Sequence, residues 1–374
     1  MTILTYRKRE RLSARSQFPA ARFVEWQEWP LVGRVGSLNN LLQPSYAGFY
    51  LHARRWIRAA EVRNEHFDIV HQLTPMALRY PSPAAGLVPR LVVGPMAGAL
   101  PTPPGFRAEM AASPWYTKLR RVDQWRFRHD PVLRRSMSAA SVVIGAATYV
   151  RDVLGDVPLR RFEVMNELGV DELPPMPKRP SRPPGQLRAL FVGRIIRSKG
   201  LRDAIRAWSS LEGLPHVTLD VVGEGEDRAA CETEARQLGV SGRVRFHGWL
   251  ARSEVNRLYG ESDMFVFPSF REPTGGVIIE AMSFGLPVVT AQYGGPAELV
   301  NDESGVRVPP IAPEQYARAL AAAVARLASD PRAREAQGLA ARRRVETQFL
   351  WSTKLTWLED LYGELLESEL TVAH

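Results

Sequence analysis

Residues 272–289 read EPTGGVIIEAMSFGLPVV, and the reading of this stretch decides the fold. Pro273-Thr274-Gly275-Gly276 is a turn that closes one element and opens the next. VIIEAMSF has the length and apolar spacing of a buried helix, and the PVV that follows the glycine break starts a β-branched strand. MFVF at 264–267, just upstream, is another short apolar strand. A strand, loop, helix and strand in so short a span form one parallel unit.

Working outward, the same alternation fills the second half. Strands are expected at Arg188–Val192, Val217–Val222, Val244–Phe246, Met264–Phe267, Pro287–Thr290 and Gly305–Val308. Helices are expected at Leu201–Leu211, Asp227–Leu238, Ser253–Gly260, Gly276–Phe284 and Pro296–Val300. That order implies an α/β domain with a doubly wound parallel sheet covered on both faces. Pro313–Ala328, Pro331–Gln348 and Leu355–Leu370 read as helices beyond it.

The first half is read as a second doubly wound unit. Its strands are Phe67–His71, Leu91–Gly94, Val142–Ile144 and Phe162–Met165. Its helices are Tyr46–Asn64, Trp115–Met137 broken at Pro131, and Thr148–Leu154. ELPPMPKRPSRPPG, residues 172–185, carries six prolines and reads as a stiff linker. The expected division is residues 1–171, a linker at 172–186, a second domain at 187–345 and a helical segment at 346–374.

At 374 residues the chain exceeds the usual size of one core, and its 45% hydrophobic and 24% charged content excludes disorder as the dominant state. Cys231 is the only cysteine, so no internal disulfide or cysteine metal cluster exists, and a cytoplasmic setting is expected. No stretch approaches the length of an apolar span, and the charged start MTILTYRKRERL is not a signal peptide. Residues 1–150 hold 21 Lys or Arg against 9 Asp or Glu, whereas the remainder is net negative. The basic half faces either solvent or something anionic. Trp115–Met137, with Trp125 and Phe127 among arginines, suggests peripheral contact with an anionic membrane. No nucleic-acid module accompanies the charge.

Four motifs carry chemistry. In the opening stretch, Glu272 lies in the loop leaving a strand, at the carboxyl edge where open α/β sheets bind ligands, and Glu280 lies one turn inside the helix. Gly275 and Gly276 let the N–H groups of that helix start approach an anion, followed by Val277. A diphosphate at the helix start, with a carboxylate on either side accepting from hydroxyls, is a nucleotide-sugar arrangement. FVGRIIRSKG, residues 191–200, follows the domain's first strand; Gly193 permits close approach, and Arg194 and Lys199 supply cations for the diphosphate and for charge developing on it. VVGEGE offers Gly223 and Gly225, but Arg228 occupies the third glycine position of a dinucleotide fingerprint. FHGWL ends a strand at Gly248, and its His247 reads as structural.

Together these motifs resemble the GT-B glycosyltransferases of the group one, or family four, type. The resemblance spans residues 188–345, and continues over 65–171 in FDIVHQLTP, VVGPMAGALPTPPGF, ASVVIGAATYV and NELGVD. It implies two Rossmann-like domains facing across a cleft, a nucleotide-sugar donor, a hydroxyl acceptor, no metal, no separate cofactor and net retention. It also implies Arg194 and Lys199 on the diphosphate, Glu272 with Pro273 and Thr274 at the donor sugar, and Glu280 on the ribose. Two departures stand out. Many members place a histidine where this chain has Gly94-Pro95-Met96-Ala97, which leaves His71, Gly94 and Gly98 as acceptor-side candidates. MTILTY is either the first strand, or a later strand whose preceding strand–loop–helix unit is missing. The second reading expects an incomplete N-terminal sheet and a chain that binds donor but transfers poorly. A nucleotide-sugar binder without transferase activity is the rival from another class.

Overall fold

The structure, a computed structural model, describes residues 1–7, 13–27, 45–110, 120–180, 182, 183, 185–211 and 213–367. In the second half, six parallel strands form one sheet: β7 (Leu187–Val192), β8 (Val217–Val222), β9 (Val244–Gly248), β10 (Met264–Phe267), β11 (Val288–Ala291) and β12 (Gly305–Val308). Their spatial order is β12-β11-β10-β7-β8-β9. The chain starts in the middle at β7, walks out through β8 and β9, and crosses back to β10. The order therefore reverses between β7 and β10, where Met264 pairs with Ala189 and Phe265 with Leu190.

The inner strands β7, β8, β10 and β11 are largely buried because both faces of the sheet are covered, as parallel sheets require. Phe191, Phe265, Phe267 and Trp208 are fully buried, and the Trp208 indole donates to the Val217 carbonyl at 3.0 Å. The sequence places every strand of this sheet to within a residue or two. The proline-rich stretch at 172–185 is fastened to this sheet's loops: Arg179 donates to the carbonyls of Ser262, Phe284 and Gly285, and Arg182 to Asp263.

In the first half, β3 (Val70–Gln72), β4 (Leu91–Met96), β5 (Val142–Gly145) and β6 (Phe162–Val164) form a parallel sheet in that order. Residues 67–69 lead into β3 instead of belonging to it. β1 (Thr2–Arg7) pairs in parallel with β2 (Arg22–Gln27) as a separate two-stranded sheet. β2 has no counterpart in the sequence reading, because RFVEWQ is half-buried along most of its length and shows no clean alternation. A strand at MTILTY fits either reading of the N-terminus, and the basic turn at 8–12 lies outside the described residues.

Helix α1 (Ser45–Val62) packs on this core through Ile57. The stretch expected to be helical from Trp115 begins, among described residues, at Arg120. It breaks where Asp130 caps α3 (Pro131–Ser138) by accepting from the Val132 and Leu133 amides, with proline at the first helical position. Its preceding helix α2 is Arg120–His129. There Trp125 is exposed, Phe127 is buried and Arg126 pairs with Asp130. A short helix α4 (Tyr149–Leu154) follows β5. Among the described residues no helix is long and apolar enough to cross a membrane.

The C-terminal segment returns to the first half. Helix α12 (Trp351–Glu367), the last among the described residues, lays Leu361 and Leu365 on Val92, Val142 and Ile144 of β4 and β5. The other helices of the second half are α5 (Leu201–Ser209), α6 (Arg228–Gln237), α7 (Arg252–Glu261), α8 (Gly276–Ser283), α9 (Gly294–Leu299), α10 (Pro313–Ser329) and α11 (Pro331–Gln348).

Candidate functional site at the sheet's switch point

Reversal of strand order leaves a crevice outside the carboxyl ends of β7 and β10, because their following connections depart to opposite sides. The loops that the sequence singled out, 193–200 and 268–276, are the two that flank it. Gly200, at φ 77°, ends the tight turn Arg197–Lys199 and lies where a side chain would strike the Pro268 carbonyl. The loops are thus held against each other by backbone contact.

A cavity of about 770 Å³ opens there. Gly193, Arg194, Lys199, Glu272, Gly275, Gly276, Val277 and Glu280 all line it. Lys199 pairs with Glu272 and lies over the Phe267 ring at 5.5 Å. Glu272 is buried, so this is a charge pair with little water to screen it. Glu280 accepts from the Tyr259 hydroxyl at 3.2 Å and pairs with Arg252 at 2.8 Å. Burial, reinforced by Glu280, pushes the Tyr259 phenol well up, so that it remains a hydrogen-bond donor. Helix α8 begins at the cavity, with Gly275 at φ 92° before it, so its free N–H groups and macrodipole face the same space.

The other predicted residues lie beside this cavity. Pro273 and Thr274 join Glu272 to Gly275, and their carbonyls leave no room for a side chain at Gly295. Gly223 and Gly225 abut the carbonyls of Gly193 and Ile195, and support the loop without lining the cavity. Gly248 turns the chain at φ 72° next to Glu224 and Arg228. His247 bonds to the buried Asp220 at 2.6 Å, a structural contact as expected.

On the first-half side, His71 has both ring nitrogens engaged, Nδ1 with the Tyr362 hydroxyl at 2.6 Å and Nε2 with the Gly94 carbonyl at 2.8 Å. Burial lowers its pKa, favouring the neutral ring. His71 is thereby tied to α12. Gly94 packs against Ile144 of β5, and the Gly98 amide donates to the Tyr149 hydroxyl at 3.0 Å.

Sequence reasoning missed the cavity's other wall, Leu168–Glu172, along with Arg252. The string NELGVD carried the signal, but its neighbour was read only as a linker. Glu167 lies just ahead of that wall and meets the Thr274 side chain; burial raises its pKa, and its Oε2 is buried with no hydrogen-bond partner among the described residues. Lys354 of α12 braces the same turn, donating to the carbonyls of Asn166 and Leu168.

Two α/β units with parallel sheets, a cavity at the switch point of one and a last helix returning to the other define the GT-B architecture. Anabaena HepE, solved with UDP, superposes with a TM-score of 0.64 over 97% of this chain and 100% of that one, at 19% identity. Sucrose-phosphate synthase from Thermosynechococcus elongatus gives 0.62 over 94% and 84%, at 22% identity. Residues 175–344 match the family of glycosyl transferases group 1. Glycogen synthase of Mycobacterium tuberculosis is 36% identical over 201 residues, 53% of this chain and 47% of that one. The 2-deoxystreptamine glucosyltransferase of Streptomyces kanamyceticus is 31% identical over 263 residues, 68% and 62% respectively. The chain therefore spans about half the length of the glycogen synthase it matches.

Proposed function

We propose that this chain is a retaining glycosyltransferase that moves a sugar from a nucleotide-sugar donor to a hydroxyl acceptor without a metal ion. One observation carries the reading: a helix N-terminus, the cations Arg194 and Lys199 and the carboxylates Glu272 and Glu280 converge on a single cavity at the switch point. A diphosphate needs the first two, and the hydroxyls of ribose and sugar need the carboxylates. The family match and the UDP complexes of HepE support the choice of ligand class. In this reading residues 187–345 hold the donor, residues 1–171 face the acceptor, 172–186 link them and 346–374 return.

Glu280 accepts from ribose hydroxyls while Tyr259 holds its other oxygen. Lys199 leaves Glu272 for the diphosphate, and Glu272 is then free to orient the donor sugar. As the bond from the anomeric carbon to the diphosphate oxygen breaks, Arg194, Lys199 and the α8 amides stabilise the charge on the leaving group. The acceptor oxygen bonds to the same face of the anomeric carbon, and its proton passes to the leaving diphosphate oxygen. Peripheral contact with an anionic membrane through the exposed Trp125 belongs to the same proposal.

Glu280→Gln is expected to weaken nucleotide-sugar binding by about 1.5 to 3 kcal/mol, the range for a hydrogen bond to a charged group. Calorimetry with UDP-glucose and GDP-mannose measures it. Unchanged affinity in a folded variant removes Glu280 from the site, and absence of binding by the parent chain removes the donor reading.

A further inference from the structure

The loop after β4 runs GALPTPPGFRAEM, residues 98–110, and leaves its own half of the molecule. Phe106 is fully buried, and it is buried in the core of the second half: it stacks on Phe270 with centroids 4.2 Å apart and meets Tyr316 edge-on at 5.7 Å. Gly105 passes so close to the Ile311 carbonyl that no side chain fits there. The Leu100 carbonyl accepts from Arg271 at 3.2 Å, and the Pro101 carbonyl from the Tyr293 hydroxyl at 3.0 Å. Phe270 and Arg271 immediately precede Glu272 in the chain.

The same loop also reaches the other side of the cavity. Glu109 pairs with Arg197, which is also held by Asp203 at 2.7 Å and lies over the rings of Phe106 and Phe270 at 5.7 and 5.0 Å. Arg197 does not line the cavity; it opens the tight turn that ends in Lys199. The three cations of RIIRSK thus divide. Arg194 and Lys199 face the cavity, and Arg197 is bolted to the incoming loop.

We infer that Phe106 and Glu109, from the first half of the chain, are positioning residues for the donor site in the second half, acting through Phe270 and Arg197 on the loops that present Glu272 and Lys199. The inference rests on the donor reading of that cavity. Both loops are irregular backbone, and their geometry depends on what packs against them. A cation or carboxylate displaced by an ångström loses much of its effect on a developing charge. The donor site is therefore shared by both halves, whereas the motifs alone place it in one.

The test uses the full chain with Glu109→Gln and, as a milder change than truncation, Phe106→Leu. Glu234→Gln is the control, since Glu234 pairs with Arg206 at 2.5 Å on the same network without touching Arg197. Hydrogen exchange at residues 194–200 needs no ligand; it should quicken about tenfold in Glu109→Gln, the fold-change that matches loss of one charge-assisted hydrogen bond, and stay at the parent rate in the control. Turnover of whichever of UDP-glucose or GDP-mannose the parent uses should fall about ten- to a hundredfold in both loop variants, with thermal midpoints close to the control's. Unchanged exchange in the turn overturns the inference whether or not a donor is found. Unchanged turnover in the loop variants of an active parent overturns it too. A parent that binds no nucleotide sugar, yet shows the exchange effect, refutes the donor reading and leaves the loop coupling standing.

Discussion

The individual side chains that meet at the cavity were legible because each needs only a local rule. A glycine pair before an apolar helix opens an anion site, and a cation after a strand reaches it. Residues whose role depends on distant partners were not legible, and Lys354 is the clearest. In the sequence it is one polar residue in WSTKLTW; in the structure it is buried, donating to two carbonyls beneath the turn that lines the cavity. Burial pulls its pKa from 10.5 down to about 8. Between those two values the unfolded chain binds more protons than the folded one, so this residue's contribution to stability rises with pH across that window. One group sets a slope of at most about 1.4 kcal/mol per pH unit. Lys354→Met should flatten the stability profile of the parent between pH 8 and 10, and should lower stability by about 1 to 3 kcal/mol for each carbonyl left unpaired. Denaturant titrations across that pH range compare the two; parallel profiles would show that Lys354 does not titrate there.

At the scale of elements, the second half read well and the first half less so, for a physical reason. β10 and β11 are buried along their whole length and β7 and β8 along most of it, so their sequences are largely apolar runs. β1, β2, β3 and β6 are half-buried and polar in part, so periodicity marks their limits poorly. Helix α12 shows what sequence alone leaves open. Its amphipathic pattern predicts a helix, but an apolar face does not name the surface it will cover. Here it covers the first half's sheet, where Leu361 is 2% exposed against Val92, Val142 and Ile144. Leu361→Ala should cost about 2 to 5 kcal/mol, the range for truncating a buried leucine. A loss below about 1 kcal/mol in denaturant titration would show that α12 is not anchored on that sheet.

On the scale of the whole molecule, two α/β units joined by a proline-rich stretch would be expected to move and melt separately, because interfaces between domains are commonly modest and polar. The contacts here argue otherwise. The chain crosses between halves at residues 166–171 and again at 349–351, where Val170 bonds to Phe349 and Trp351 at 3.0 Å each. The loop carrying Phe106 makes a third crossing, and it places an aromatic ring from one unit inside the core of the other. Thr148 of the first half adds a side-chain bond to Glu298 of the second at 2.5 Å. Opening the interface therefore exposes buried apolar surface and strands the Glu109–Arg197 pair, so partial unfolding of either half destabilises the other. The full chain is expected to unfold in one calorimetric transition, with an enthalpy near 260 kcal/mol at about 0.7 kcal/mol per residue and a van't Hoff value close to it. Phe106→Ala removes the shared ring and should separate the two halves into distinct steps. Two resolved transitions in the parent chain, or a van't Hoff enthalpy near half the calorimetric one, would mean that the halves fold independently and that the third crossing does not couple them.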